Sequence, residues 1–469
     1  MNLNNNYLSI DIGSTFTNCV FIGNQLNFNS SRVDDDKTRI NPQKISFCKR
    51  LTTVKDSHSG VIQGLNGLAQ SLDIDVSYLL QQVNNIVLNS SLVEEGPTKT
   101  QKKRPPFFTT LAESLSTLGY KHKITSATQP KGSNGEADSN SVNNEFHRYG
   151  FLAAIVTAIA KGYSTILCLD IGGKNTDLSL IQLDSTQEKS SLKNVVAHSK
   201  VQTLSVPLGG HSIIKSNNEK SQLELSSGSH STHPICYGLG EKIPTLTDAL
   251  LLMGLLSPAL TFGDGSFNLR LHGLAGTFQK LLTAPADREP QEIAKLCFNT
   301  AKAKLTDKMH ELINSNQIDR NELTLIACGG NGPLFAAELA HSLGIKRIFI
   351  PNHSAAFSAI GAVIANQSNA DYSSEYLSAE RLGTKYSDTK FTDTKFIDTK
   401  QHASATQQRL VNFGNGYTEI NIYKGAELHP GQAIQGPALI EGIYTSIAIP
   451  AAWHSVVDNT GSYELTPNE

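Results

Sequence analysis

The sequence carries no excess of charge of either sign: 40 Lys and Arg stand against 42 Asp and Glu, a formal net charge of −2. That balance leaves no electrostatic footprint for a polyanion, so neither nucleic acid nor an anionic membrane is an expected partner. The densest basic run, Lys99–Arg104 before Pro105-Pro106, reads as a solvated loop. No apolar run reaches membrane-spanning length. The six cysteines (Cys19, Cys48, Cys168, Cys236, Cys297 and Cys328) form no CxxC pair, and Cys19, Cys168 and Cys328 lie in apolar strand-like runs. They read as small buried residues in a reducing compartment, not as disulfides. The start, MNLNNNYLSID, passes from a polar stub into a strand with no leader-like stretch, so a cytoplasmic location is expected. No GxxxxGK followed by Ser or Thr occurs, which sets aside a P-loop NTPase. At 469 residues the chain is too long for one core.

What is present is a repeat. Leu8–Gly23 (LSIDIGSTFTNCVFIG) and Ser164–Leu183 (STILCLDIGGKNTDLSLIQL) each run as an apolar strand ending in an aspartate, a tight glycine turn and a second strand. Aligned on Asp11 and Asp170, the two share Asp, Ile, Gly and Thr at the same offsets. Two copies in one register imply two similar half-domains facing one site. Glycines let the backbone approach a ligand so that N–H groups line a phosphate. Ser14, Thr15, Thr17 and Thr176 add hydroxyls, and the two aspartates are of the type that holds a hydrated Mg²⁺ or orients water.

The rest of the chain reads as alternating strands and helices. Lys44–Thr53 reads as a strand and Ser59–Leu72 as a helix capped by Ser59, with Val61, Ile62, Leu65, Leu68, Ala69 and Leu72 at helical spacing. Ala127–Asn144 is polar and reads as an exposed loop; Phe151–Lys161 is an Ala-rich helix stopped by Gly162. Ser205–Ile214 carries a Gly-Gly turn, Ser216–Thr232 a serine-rich insertion, and Pro244–Leu256 a helix opened by Thr247-Asp248. A long amphipathic helix over Gln291–Asn314 precedes a strand at Leu323–Cys328, a glycine loop and a helix with Pro333 at its start. Arg347–Pro351 is the next strand, and Ser354–Asn366 a small-residue helix. The degenerate D-T-K repeat at Tyr386–Gln401 reads as a linker without chemistry, and Ala426–Leu465 as a small β-rich cap. His230 and His233 form an HxxH pair without a carboxylate or Cys at ligand spacing, a weak zinc signal.

The third glycine loop, Cys328–Leu334 (CGGNGPL), sits between strand and helix, where its N–H groups can approach a phosphate or a nucleoside edge. It is not a dinucleotide fingerprint, because GGxGP differs from GxGxxG and no acidic residue occurs at the required distance beyond it. Two phosphate-type turns and then such a loop is the order of the actin/Hsp70/sugar-kinase superfamily. Within it the motifs resemble the hydantoinase A/5-oxoprolinase family. DIGSTFTN resembles that family's DxGGTFTD, and Leu51–Leu65 its TTP…GVxxGL stretch. DIGGKNTDLSLI resembles DMGGTSTDVSLI, and Pro234–Ala249 is similar to PACYGRGG-PTVTDA. Ala327–Gly361 is similar to FGGAGPLHAAELA…VPPxPGVFSALG, and Gly436–Gly461 to the C-terminal GPAIIE block. The blocks are collinear over nearly the whole chain.

The resemblance implies an α/β fold of two actin-like (ribonuclease H-like) domains around a nucleotide cleft, with a small C-terminal β-rich segment. The expected division is 1–145, 146–370, a low-complexity linker over 371–408, and 409–469. The activity implied is ATP-dependent opening of a cyclic amide such as 5-oxoproline, a hydantoin or a lactam. ATP and Mg²⁺ are the implied cofactors and a hydantoinase B-type subunit the implied partner; homo-oligomerisation stays open. Asp11 and Asp170 would serve Mg²⁺ and water. Gly13, Ser14, Thr15, Gly172, Gly173, Lys174 and Thr176 would meet phosphate, and Gly329, Gly330 and Gly332 the nucleoside. The chain also departs from the pattern. Its region from about Gly96 to Asn144 is short, and Val83–Gly96 lacks the family's histidine. Ser14 and Asn18 replace Gly and Asp, Lys174-Asn175 replaces Thr-Ser, and His211 stands at a glycine. These changes keep a second reading open, an ATP-binding regulatory subunit whose substrate machinery has decayed. A small-molecule kinase on the same fold leaves the C-terminal block unexplained.

Overall fold

The computed structural model describes residues 6–13, 15–23, 44–52, 57–90, 107–122, 124–126, 149–184, 195–196, 198–217, 222–228, 232–259, 261–262, 267–281, 289–368, 403–414, 416–442 and 444–468. Ser14, His230 and the stretches read as an exposed loop (Ala127–Asn144) and a linker (Tyr386–Gln401) lie outside these residues. The chain divides into two units, one of Met1–Ala160, Lys189–Asn194 and Ser358–Asp388, the other of Lys161–Glu188, Val195–Phe357 and Thr389–Glu469.

In the first unit the alternating apolar residues of Tyr7–Ile12 (β1) and Phe16–Gly23 (β2) give a hairpin, and Lys44–Leu51 (β3) adds to its edge. Asn85–Ser90 (β4) and Ile124–Ser126 (β5) complete a sheet of order β3-β2-β1-β4-β5. β2 runs antiparallel to both β1 and β3, whereas β4 lies parallel to β1 and β5 parallel to β4. Parallel pairing needs a crossover, here the helices Ser57–Ser71 and Val76–Gln82 before β4 and Phe107–Thr117 before β5. Leu8, Ile10 and Ile12 point one way from β1 into a core with Val61, Leu65, Leu68 and Leu72. The period of two sends Ser9 and Asp11 to the other face. The first helix begins at Ser57, so Ser59 lies inside its first turn and is not its cap. Gly64 and Gly67 bring that helix onto the sheet, since a Cβ there would come 2.8 Å from Cys19 Sγ and 2.7 Å from Cys48 Sγ respectively.

The second unit repeats the plan. Thr165–Ile171 (β6), Thr176–Gln182 (β7) and Lys200–Val206 (β8) form an antiparallel meander. Ile213–Asn217 (β9) pairs with Gln222–Ser226 (β10), and Thr261–Phe262 (β11) with Phe267–Asn268 (β12). Leu323–Cys328 (β13) then lies parallel to β6, and Arg347–Ile350 (β14) parallel to β13. The order β8-β7-β6-β13-β14 therefore matches β3-β2-β1-β4-β5 in direction and sequence. Three antiparallel strands and then two parallel ones is the ribonuclease H-like plan of actin-type domains. The serine-rich insertion is in part the β9–β10 hairpin, its alternation hidden by Ser and Asn.

The C-terminal segment is β-rich. Gln407–Asn412 (β15), Tyr417–Lys424 (β16), Ala438–Glu441 (β18) and Ser446–Ile449 (β19) make a sheet of order β15-β16-β18-β19. Ala433–Gln435 (β17), Trp453–Val457 (β20) and Tyr463–Pro467 (β21) extend the central sheet beyond β14. The Lys161 ammonium pins this edge, 2.7 Å from Asp458 and 3.1 Å from Glu464. Against the sheet, the helices Pro290–Ser315 and Gly332–Leu343 meet where Phe298 stacks on Phe335 at 4.7 Å between ring centroids. Among the described residues no helix is long and apolar enough to cross a membrane.

Candidate functional site

The first turn closes where the Gly13 N–H donates to the Phe16 carbonyl at 2.9 Å, and a Cβ on Gly13 would stand 2.9 Å from that same oxygen. Thr52, just after β3, holds the turn from outside. Its N–H donates to the Thr15 carbonyl at 2.8 Å and its hydroxyl to the Gly13 carbonyl at 2.8 Å. A hydroxyl has one proton, so Thr17, 3.1 Å away, is the donor to Thr52 Oγ1. The Thr15 hydroxyl is buried and has no hydrogen-bond partner among the described residues.

Below this turn the strand registers align four polar side chains, Asn89 on β4, Asp11 on β1, Asn18 on β2 and Lys49 on β3. Asn89 donates to Asp11 Oδ1 at 3.0 Å. Burial pushes the Asp11 carboxyl up to about 6, against the opposing pull of the Asn18 and Asn89 hydrogen bonds and the Lys49 charge. Lys49 itself is buried, its ammonium 4.6 Å from the Phe16 ring centroid.

The second turn is built alike. The Gly172 N–H donates to the Asn175 carbonyl at 3.0 Å, and the registers align Cys328, Asp170, Asp177 and Ser205 across β13, β6, β7 and β8. Ser205 donates to Asp177 Oδ1 at 2.8 Å. Gly13 and Gly172 thus use their N–H groups to close their turns. Thr176 also departs from its expected role as a phosphate donor, because its buried hydroxyl donates to the Leu208 carbonyl at 2.7 Å.

Two further segments close around this second turn. Gly210 N–H donates to the Gly172 carbonyl at 3.0 Å and His211 N–H to the Gly173 carbonyl at 2.6 Å. Gly209 fits only without a side chain, since a Cβ would sit 2.7 Å from the Gly172 and Gly173 carbonyl oxygens. The glycine loop arrives from the other side, with Asn331 N–H on the Ile171 carbonyl at 3.2 Å and Gly329 N–H on the Ser354 carbonyl at 2.9 Å. Gly329 has φ of +79°, and a Cβ there would run into Asp170 and Ile171. Gly332 lets the helix start lie on β6, where a Cβ would be 3.2 Å from the Leu169 carbonyl. From the C-terminal segment Thr445 donates to the Gly330 carbonyl at 3.1 Å.

Asp248 proves to be a structural knot. Thr245, not Thr247, caps the helix Leu246–Leu252, in a capping box with Asp248. The Asp248 carboxylate accepts from the N–H groups of Ile235, Cys236 and Thr245 at 2.8–3.1 Å, tying ICY to the helix, and burial raises its pKa. Thr247 reaches back, its N–H and hydroxyl both 2.8 Å from the Gly210 carbonyl.

Two family models match in the order this architecture requires: hydantoinase/oxoprolinase over residues 149–371 and the hydantoinase/oxoprolinase C-terminal domain over 390–466. The chain belongs to the hydantoinase/oxoprolinase family. Among curated members of that family it is 26% identical over 222 residues to the acetophenone carboxylase gamma subunit of Aromatoleum aromaticum, a stretch that is 46% of this chain and 30% of that protein. It is 22% identical over 218 residues to the caprolactamase subunit alpha of Pseudomonas jessenii, 46% of this chain and 31% of that one. The matched stretch therefore spans about a third of these relatives' length. The solved nucleotide-free acetone carboxylase superposes with a TM-score of 0.70 at 13% identity, covering 99% of this chain and 100% of that chain. The ATP-dependent caprolactamase from Pseudomonas jessenii gives 0.64 at 15%, with 99% and 100% covered. At these identities the likeness is one of fold, the actin-like (ribonuclease H-like) plan already seen in the strand order.

Of the family positions expected to form the site, Gly172, Gly173, Lys174, Asp170, Gly329, Gly330 and Gly332 come together in the second unit, and Asp11, Gly13 and Thr15 in the first. The sequence reading missed Thr52, Asn89, Lys49, Asp177, Ser205 and Thr445 as partners. Asp177 closes the quoted DIGGKNTD, Thr52 lies in the Leu51–Leu65 block and Thr445 in the Gly436–Gly461 block, whereas Asn89, Lys49 and Ser205 are placed by strand register.

Proposed function

We propose that the chain is the ATP-using subunit of an enzyme that opens a cyclic amide, working with a hydantoinase B-type partner. The observation that carries this is the pair of matched turns, each above a row of polar side chains containing the motif aspartate. The second row holds two carboxylates, Asp170 and Asp177, paired across β6 and β7. Such an oxygen-rich pair fits a hard divalent cation, which keeps most of its water and is held by one or two carboxylates and by phosphate. Asp11, half-buried and raised to about 6, is the kind of carboxyl that a nearby cation would keep ionised. Mg²⁺ when bound would neutralise phosphate charge. Asp170 and Asp177 would hold it, and Asp11 would orient water.

An amide carbonyl is a poor electrophile, and phosphorylation corrects this. The carbonyl oxygen attacks the γ-phosphorus and the bond to ADP breaks. Water then adds to the activated carbon, and the tetrahedral adduct expels the ring nitrogen, which takes a proton, leaving an acyl phosphate. A second water attacks the carbon of this mixed anhydride, giving the carboxylate and inorganic phosphate that carries the former carbonyl oxygen. The protein's part is positioning and charge. Gly173, Lys174 and Thr15 would meet phosphate, and the 329–332 loop, braced by Ser354 and Thr445, the nucleoside. The names of relatives support both halves of the reading: caprolactamase and 5-oxoprolinase act on ring amides, and caprolactamase is named by subunit.

The second reading, an ATP-binding regulatory subunit, is favoured by Lys174, a cation four residues after Asp170 in the second turn, whose charge would disfavour a divalent cation there. ATP hydrolysis with Mg²⁺, measured alone and with a panel of cyclic amides, with and without a co-purifying partner, separates the two. Turnover stimulated by one ring compound is the expected result. Nucleotide binding without turnover under every condition would establish the regulatory subunit instead.

A further inference from the structure

His211, beside the second turn, carries a buried acceptor to which no described residue donates. Its backbone N–H is bonded to Gly173 in the second turn, and its Nδ1 lies 2.9 Å from the Thr232 carbonyl. A carbonyl only accepts, so Nδ1 carries the proton and Nε2 is left as a bare acceptor. Nε2 is buried and has no hydrogen-bond partner among the described residues, on a side chain that is 2% exposed. Native proteins keep few such groups, and a buried polar atom without a partner marks a place where a ligand or water supplies one.

The surroundings restrict what that partner is. The rings of His233 and Tyr237 stand edge-on to His211 at 5.8 and 5.7 Å between centroids. Burial, His233 and the Lys174 charge all hold the His211 imidazole neutral, its pKa lowered to about 3. A neutral imidazole with its Nδ1 proton committed repels an anion at Nε2, which excludes phosphate and carboxylate there. A ketone offers no donor either. A metal cation would share the space with the Lys174 ammonium, and no group of three His, Cys, Asp or Glu that could hold a metal occurs among the described residues. What remains is a neutral group bearing N–H or O–H.

We propose that His211 Nε2 accepts the ring N–H of a secondary cyclic amide, so that this chain takes lactam-like or hydantoin-like rings and rejects ketones and N-alkylated rings. This rests on the ring-opening reading of the site and makes it specific. A cis amide in a ring shows its N–H and carbonyl on one edge, so an acceptor beside the second turn fixes the ring with its carbonyl toward the phosphate-binding residues. His211 then determines specificity.

The test uses the full chain with ring-¹⁵N-labelled histidine and saturating MgATP. The Nε2 resonance is assigned by its disappearance in His211→Phe, which keeps the bulk and loses the acceptor. Titration with 2-piperidone is expected to move that resonance, while N-methyl-2-piperidone and cyclohexanone, of the same ring size, leave it in place. Binding of 2-piperidone is expected to weaken at least about 10-fold in His211→Phe and to recover in His211→Gln, whose side-chain carbonyl restores an acceptor. Equal response to all three rings, or none to any, overturns the proposal, as does a shift produced by Zn²⁺ alone. MgATP binding measured in the same samples keeps the two claims apart: nucleotide bound without a 2-piperidone response sinks the His211 assignment only, whereas no nucleotide binding sinks the ring-opening reading itself.

Discussion

The two turns share a backbone and differ in charge. Each is closed by a glycine N–H, at 2.9 Å in the first and 3.0 Å in the second, and each stands above a row of four cross-strand residues. The first row reads Asn89, Asp11, Asn18, Lys49, one carboxylate facing one ammonium; the second reads Cys328, Asp170, Asp177, Ser205, two carboxylates with a hydroxyl donor. Duplicated topology has thus been given unequal electrostatics. A row with net negative charge suits a divalent cation, whereas a balanced row with buried amides suits water and phosphate oxygen. The difference teaches that the motif aspartates, identical in the repeat, sit in distinct electrostatic surroundings set by their neighbours.

The largest effect expected from breaking this contrast is at Asp170. Asp170→Asn is expected to lower ATP turnover at least about 10³-fold with the melting temperature near that of the wild type; retained turnover in a steady-state assay would remove Asp170 from the chemistry. Gly329→Ala tests whether the glycine loop must press on the second row. Its φ of +79° and the collision with Ile171 and Asp170 are expected to cost about 2–4 kcal/mol in chemical denaturation.

Asp11→Asn sharpens the comparison through pH. The folded carboxyl is raised to about 6, so between about pH 4 and 6 the native state binds more protons than the unfolded one, and ionisation above that range weakens the fold. Removing the charge is expected to stabilise the protein by up to roughly 3 kcal/mol at pH 8, with no gain below about pH 4, while turnover is lost. Denaturation curves at the two pH values check the sign. The smallest effect is Thr52→Val, which removes the hydroxyl bonds to Gly13 and Thr17 and is expected to cost about 1–2 kcal/mol and to raise the KM for ATP only modestly.

Much of this fold was legible in the sequence because the signal was local and repeated. Alternation around Asp11 and Asp170 gave both hairpins, and the run from Leu323 to Leu343 gave strand, glycine loop and helix within a residue of their bounds. The site was legible only along the strands that carry the motifs. Asn89 reaches Asp11 from 78 residues away and Ser205 reaches Asp177 from 28, through registers that no spacing reveals. Local competition misled the remainder. Thr245 and Thr247 are both capping residues by type, and only the Asp248 carboxylate meeting the Thr245 N–H decides between them. The glycine N–H groups looked ready for phosphate, yet Gly13 and Gly172 first satisfy their own turns.

The central claim is that ATP activates a ring carbonyl by phosphorylating it, and the fate of the carbonyl oxygen tests this most directly. The ring amide that best stimulates ATP turnover, labelled with ¹⁸O in its carbonyl, is converted to completion and the inorganic phosphate analysed by mass spectrometry. Carbonyl phosphorylation predicts one ¹⁸O in the phosphate released per ring opened. Label retained wholly in the carboxylate of the opened product would contradict it.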